Sequence, residues 1–205
     1  MLVPVLCLAA GAATWTLAEY LLHRFVFHGR SGRGPGALEH RLHHARPDYF
    51  APWWQKALAA LAVTALLLPG VGLAAGARAS LSFTLGFIAA YLAYEVLHRR
   101  VHTHAPRGPY GRWRRRNHFA HHFVDPRLAH GVTSPVWDLV FGTRLPLEPV
   151  PVPSRLAMRW LLDADGRVRA DLARDYVLVG RSHDDEAVGR ADSAAARQDR
   201  SLSAG

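Results

Sequence analysis

Three long apolar stretches alternate with short polar segments that carry most of the histidines, and this alternation predicts an all-α integral membrane protein. From Leu2 to Leu22 the only charged side chain is Glu19, which gives about the 20 residues a helix needs to cross the hydrocarbon core. Ala57 to Ala77 is apolar, with Pro69 and three glycines toward its far end; Arg78 interrupts once, and Ala79 to Leu97 is apolar again until Glu95. The expected spans are therefore 2–22, 57–77 and 79–97, the last two forming a hairpin that turns around Pro69 to Arg78. The opening stretch has neither the positive start nor the small-residue cleavage pattern of a signal peptide, so it reads as a retained span. Buried helices of a soluble all-α protein would not need three segments this apolar.

Parity then places the polar segments. The first span exits at His23 and the hairpin leaves and returns before His98, so all histidine clusters share one side. That side carries Arg24, Arg30, Arg33, Arg41, Arg46 and Lys56 in its first loop, against Arg78 alone on the other. The positive-inside rule makes it cytosolic, and a bacterial plasma membrane is the expected location. Residues 98–146 form an expected cytosolic helical cap, and Pro149, Pro151 and Pro153 mark the end of a membrane domain at 1–153. Residues 154–180 read as a short extension, with a short helix around Leu156 to Leu162 and an apolar run at Tyr176 to Val179. From Arg181 to Gly205, Ser, Ala, Asp and Arg dominate, the composition of a disordered tail. There is no repeat of fixed period, no glycine-rich phosphate loop and no HExxH.

Composition narrows the chemistry. The formal charge is +9 over 205 residues, with Lys56 the only lysine. Such a balance suits nucleic acid, an anionic membrane face or an arginine-rich coding bias. Cys7 stands alone, which excludes an intrachain disulfide and a thiolate metal site. Thirteen histidines are the unusual number, because imidazole is the commonest metal ligand.

Ten of them fall into four boxes: His23-Arg-Phe-Val-Phe-His28, His40-Arg-Leu-His43-His44, His98-Arg-Arg-Val-His102 and His118-Phe-Ala-His121-His122. Positions i, i+3 and i+4 share a helix face. Each HxxHH triad is thus expected to converge on one point, with His98 and His102 adding a ligand to each of two ions or two to one. His23 and His28 are about 140° apart on an ideal helix, so they meet only if the helix ends or loosens between them, which Gly29 permits. Ten imidazoles packed together without a ligand would cost about 1–3 kcal/mol per unmet polar group. Ten ligands exceed twice what one zinc takes, so two ions are expected.

Imidazole suits iron, zinc, copper or nickel. Iron follows from the chemistry envisaged: unactivated C–H bonds require a redox metal that binds O2, whereas zinc is an alternative occupant of the isolated protein. Glu19, Glu95 and Asp138 are the expected partners of the ligating rings, since carboxylates commonly orient metal-bound imidazoles. Glu39 and Asp125 also adjoin boxes. His104 and His130 are expected non-ligands, with His104 a proton-relay candidate, and His183 is expected on the surface.

The boxes, together with Gly131-Val-Thr-Ser-Pro-Val-Trp-Asp-Leu-Val-Phe-Gly-Thr143, resemble the fatty acid hydroxylase and sterol desaturase superfamily over roughly residues 15 to 146. The resemblance implies a helical membrane fold with a cytosolic dimetal centre, O2-dependent hydroxylation or desaturation of a lipid, and an external electron donor of ferredoxin or cytochrome type. It implies His23, His28, His40, His43, His44, His98, His102, His118, His121 and His122 as the metal ligands. The chain departs from the family in being short, in having one span before the first box and in carrying no fused heme domain. The HxxxH third box and the WDLVFGT segment look like the fatty acyl or sphingolipid branch; carotenoid ring hydroxylases and sterol-type oxidases are the alternatives. In WDLVFGT, Trp137 and Phe141 are expected to pack the cap on the membrane helices. A non-redox metal-binding or transport protein is the alternative of another class, although transport favours ionisable residues along the spans rather than at one end. Nucleic-acid binding through Arg112 to Arg116 would rest on charge alone; those arginines are expected to face anionic lipid or an acidic electron donor.

Overall fold

A computed structural model describes residues 2–29, 34–146 and 148–180. The sequence at Arg181 to Gly205 lies outside the described residues, as does His183. The first helix, α1 (Leu2–Leu21), passes directly into a π-helix at Leu22–Phe27. There follow α2 (Pro35–Ala45), α3 (Trp53–Ala75), α4 (Ala77–Thr103), α5 (Gly108–Phe123) and the short α6 (Val136–Val140). Leu2–Phe27, Trp53–Ala75 and Ala77–Thr103 are long and apolar enough to cross a membrane. Each extends past its expected limit toward the histidine side, so the first and third boxes ride on helices that are continuous with the spans.

The hairpin is tighter than expected. Helix α3 continues through Pro69 to Ala75, and the reversal is made by Gly76 alone, at φ +83°. That conformation favours glycine because a Cβ would clash there. None of the described side chains of α3 is buried, the pattern of a helix surrounded by lipid. Ser80 Oγ on α4 donates to the Leu68 carbonyl and ties the two arms near the proline.

Helices α1 and α4 run side by side in the same direction. A Cβ on Gly11 would lie 2.0 Å from the Phe83 carbonyl oxygen, and one on Gly86 would lie 2.0 Å from that of Leu8. Only glycine lets the two backbones approach this closely, the usual basis of helix packing in lipid. Further along, Trp15 packs edge-on against Phe87 and Tyr91, so the pair is locked just below the histidines.

The cap is built differently. Its apolar core joins Val101 of α4 and Phe119 and Ala120 of α5 to Val150, Val152, Leu161, Leu172 and Tyr176. Strands β1 (Val150–Pro153) and β2 (Tyr176–Val179) pair in parallel, Val150 opposite Tyr176. The expected boundary at 153 therefore cuts through the core, and 154–180 is part of the cap. The helix expected around Leu156 to Leu162 is two short 3-10 turns, and the apolar run at Tyr176 to Val179 is a strand. Among the described residues this sheet and an isolated antiparallel bridge between Leu162 and Val168 are the β structure in an otherwise helical fold.

Candidate metal centre

His23 and His28 meet because the helix between them is wound wider. The His28 amide donates to the His23 carbonyl at 3.1 Å, an i to i+5 bond that puts residues five apart on one face. The expected loosening is thus a π-helix. It ends at Phe27 with His28 as its cap, and just beyond, a Cβ on Gly29 would lie 2.0 Å from the Phe25 carbonyl oxygen.

The two HxxHH triads do not each converge on one point. Ring nitrogens of His23, His28, His40, His44 and His121 gather in one group, and those of His43, His98, His102, His118 and His122 in a second, all within 4.8 Å of one another in each. On a regular helix the i and i+4 rings are about 40° apart, but i+3 and i+4 are about 100° apart. Each triad therefore sends its outer pair to one group and its middle histidine to the other. His98 and His102, an i, i+4 pair on α4, both join the second group. All ten histidines of the four boxes are brought together, five to each group.

The crowding inside each group identifies what it can hold. His40 Nε2 has the Nε2 atoms of His23, His28 and His44 at 3.1, 2.7 and 3.0 Å. His118 Nε2 has those of His98, His102 and His122 at 3.1, 2.8 and 3.1 Å. One imidazole nitrogen carries either one proton or one lone pair, so hydrogen bonding cannot satisfy three such neighbours. A shared cation does: nitrogens about 2.1 Å from an ion lie about 3.0 Å apart at right angles and about 4.2 Å apart when opposed.

The far sides of the rings agree. Nδ1 of His23, His43 and His121 lies 2.6, 2.8 and 2.7 Å from the carbonyl oxygens of His130, Tyr49 and Leu128. A carbonyl only accepts, so each Nδ1 bears the proton and each Nε2 presents its lone pair to the group. His43 Nε2 is buried without a protein partner, as a ligand atom would be. Burial also keeps the rings neutral. It pushes His28 and His43 down to about 4 and His44 to about 3, and holds His40, His118, His121 and His122 below the ordinary histidine range. The clusters are compatible with a metal site.

The orienting groups are carbonyls rather than the expected carboxylates. Glu19 reaches no imidazole: it accepts the N–H of Val132 and Thr133 at 2.6 and 2.9 Å and the hydroxyl of Thr133. Glu95 pairs with Lys56. Asp138 accepts the amides of His130 and Gly131 at 2.9 and 2.8 Å and the Thr143 hydroxyl at 2.8 Å. Glu19 and Asp138 thereby clamp the segment whose His130 carbonyl holds His23, and so act at one remove. Glu39 accepts from Tyr49 and Gln55, and Asp125 from Arg127. The His23 contact spans 107 residues of chain, so no local spacing could have revealed it, whereas those of His43 and His121 span only 6 and 7.

His104 lies outside both groups, beside Thr103. The ring of His130 is also outside them, though buried, with its Nε2 against the Arg127 carbonyl. Three of the four arginines of α5 are bonded within the chain. Arg112 and Arg116 pair with Asp175, while Arg115 donates to the carbonyls of Arg100 and His104 at the end of α4, where a cation also complements the helix dipole. Trp137 does pack the cap on α1, its Nε1 donating to Thr16 Oγ1 at 3.0 Å, and Phe141 stacks on Tyr20.

A family model described as fatty acid hydroxylase matches residues 8–143. The chain belongs to the fatty acid hydroxylase family. A dihydroceramide fatty acyl 2-hydroxylase of Arabidopsis thaliana is 34% identical over 145 residues, covering 67% of this chain and 60% of that protein. A ceramide very long chain fatty acid hydroxylase of Schizosaccharomyces pombe is 34% identical over 151 residues, covering 67% of this chain and 42% of the relative. Among solved structures, full-length scs7p with only its hydroxylase domain visible superposes with a TM-score of 0.60 at 27% identity, covering 71% of this chain and 57% of that one. The chain thus spans less than two thirds of the length of these relatives.

A cavity of about 560 Å³ opens beside the histidines. His40 of the first group and His43 and His98 of the second line it, and Trp54, Leu58, Val63, Phe87 and Ile88 continue it between the membrane helices.

Proposed function

We propose that the chain is an O2-dependent dimetal hydroxylase of a membrane lipid, acting on a fatty acyl or sphingolipid chain. The observation that carries this reading is the pair of five-histidine groups at the end of an apolar cavity embedded among the spans. His23, His28, His40, His44 and His121 would hold one ion, and His43, His98, His102, His118 and His122 the other. Iron is the metal proposed, since its redox chemistry with O2 supplies the means to oxidise an unactivated C–H bond. Relatives named as acyl 2-hydroxylases support the substrate class.

The protein's share of the work is positional. Apolar side chains of the cavity bind an alkyl chain and exclude water, while His40, His43 and His98 present the ions to its near end. The carbonyls of His130, Tyr49 and Leu128 fix the tautomers of three ligands, so those rings need no reorganisation when a metal binds. Parity and the excess of arginine around the first loop support a cytosolic metal face in a bacterial plasma membrane. Electrons would come from a separate ferredoxin or cytochrome-type donor.

The test is metal analysis and turnover on the purified membrane protein. The expected result is two metal ions per chain and, with lipid, reductant and O2, an acyl product heavier by one oxygen. One ion per chain, or an unchanged rate in His121→Ala, would overturn the reading.

A further inference from the structure

The segment after the fourth box carries an exposed apolar surface that neither the metal groups nor the cavity uses. On and just after α6, Val136, Leu139, Val140 and Phe141 are 50%, 55%, 63% and 45% exposed. These are four large apolar side chains within six consecutive residues, in a part of the sequence expected to belong to the cytosolic cap.

Their depth is fixed by what α6 touches. Trp137 Nε1 donates to Thr16 Oγ1, and Thr16 lies five residues, about 7.5 Å of helix, before the end of α1 at Leu21. Phe141 stacks on Tyr20 with ring centroids 5.1 Å apart, and the loop leading into α6 binds Glu19 through Val132 and Thr133. The chain from 132 to 141 therefore descends alongside the last turns of a membrane-spanning helix. We propose that α6 is inserted into the cytosolic boundary of the bilayer, with Val136, Leu139, Val140 and Phe141 in contact with lipid acyl chains.

The bilayer is the occupant that fits. The surface is continuous with a span, and Trp137 lies beside it with its indole N–H on a polar atom, the usual posture of tryptophan at a membrane boundary. The sequence from Arg181 onward offers only Val188 and Leu202 as large apolar residues, too little to cover four exposed side chains. Internal hydrogen bonding is compatible with the depth: the amides of Leu139 on α6 and of its cap Phe141 reach the carbonyls of Pro135 and Trp137, and Asp138 is buried against backbone amides and Thr143, as backbone and charge in a low-dielectric boundary require. The inserted element is also the one whose Asp138 holds His130, and through the His130 carbonyl, His23. The proposal depends on the helices crossing the membrane and not on lipid oxidation.

The single cysteine makes the test direct. In a Cys7→Ser background, Val140→Cys and, separately, Leu139→Cys are labelled with a nitroxide and the full chain is reconstituted in phosphatidylcholine vesicles. Collisions with O2 and with water-soluble chromium oxalate are compared with those of labels placed by Leu66→Cys on α3 and Asp165→Cys on the cap. The expected ratio of O2 to chromium collisions at 140 or 139 is several-fold above that at 165 and below that at 66, which lies mid-way along a span. A ratio equal to that at 165 would overturn the proposal. So would a label shielded from both reagents that cross-links between two copies of the chain, because the surface would then be a protein interface. A water-exposed label at 66 would remove the membrane premise and the proposal with it.

Discussion

The two histidine groups use the same number of rings but are held by different kinds of structure. The second draws four of its five members from two regular helices, His98 and His102 on α4 and His118 and His122 on α5. Those helices are bonded to each other through Arg115 and packed on the Val101 and Phe119 core. The first takes only His121 from α5 and otherwise depends on a π-helix, on α2 and on the segment after α5, and three of its members, His28, His40 and His44, are only half-buried. Regular helix gives the second group its shape locally. Clamps at Glu19 and Asp138, acting through the His130 carbonyl, give the first group its shape from a distance. The first group is therefore the one that distant substitutions should disturb.

The largest effect expected is from His118→Ala, which removes the nitrogen at the centre of the second group. Bound metal should fall from two ions to one, and turnover by more than about 100-fold, read by metal analysis and product mass spectrometry. Retention of both ions would break the division into two groups. Asp138→Ala comes next. It strips two buried amides and a hydroxyl of their acceptor, at a cost of about 2–4 kcal/mol in stability. Metal affinity of the first group should weaken by about 10–100-fold while the second is unchanged, so titration should show one weakened site. Equal weakening of both would mean that the clamp serves the whole cap.

Acid should reveal where the groups are alike. His28 in the first and His43 in the second are both held near 4 by burial, below the ordinary 6.5. The unfolded chain therefore takes up more protons than the folded one below pH 6.5. Stability of the chelator-treated protein should be constant above that pH and fall as pH drops from 6.5 toward 4, measured by thermal unfolding. Stability that rose on acidification would show these rings to be charged in the fold. The smallest effect is expected from Trp160→Phe, which removes a 2.9 Å bond to the His102 carbonyl. About 1 kcal/mol of stability should be lost, with perturbation confined to the second group.

Sequence alone determined the parts that rest on short-range periodicity. Apolar runs of membrane length gave three spans, because a helix in lipid must be apolar all round. The HxxxH and HxxHH spacings pointed to eight of the ten converging histidines, because residues three and four apart share a helix face. The need for a loosened helix between His23 and His28 was legible from an angle, and the π-helix supplies it.

Only the tertiary structure decided how the rings are shared. Within a triad the helix angle separates the middle ring from the outer pair, but which group each joins depends on how α2 and α5 face each other. It also decided that Glu19 and Asp138 grip backbone rather than imidazole, that Glu95 meets Lys56, and that 150–179 completes the cap core. Apart from Asp138, whose partners are 5, 7 and 8 residues away, these pairings join residues far apart in the chain. A carboxylate's partner is set by the packing of whole elements, and no periodicity along the sequence records it.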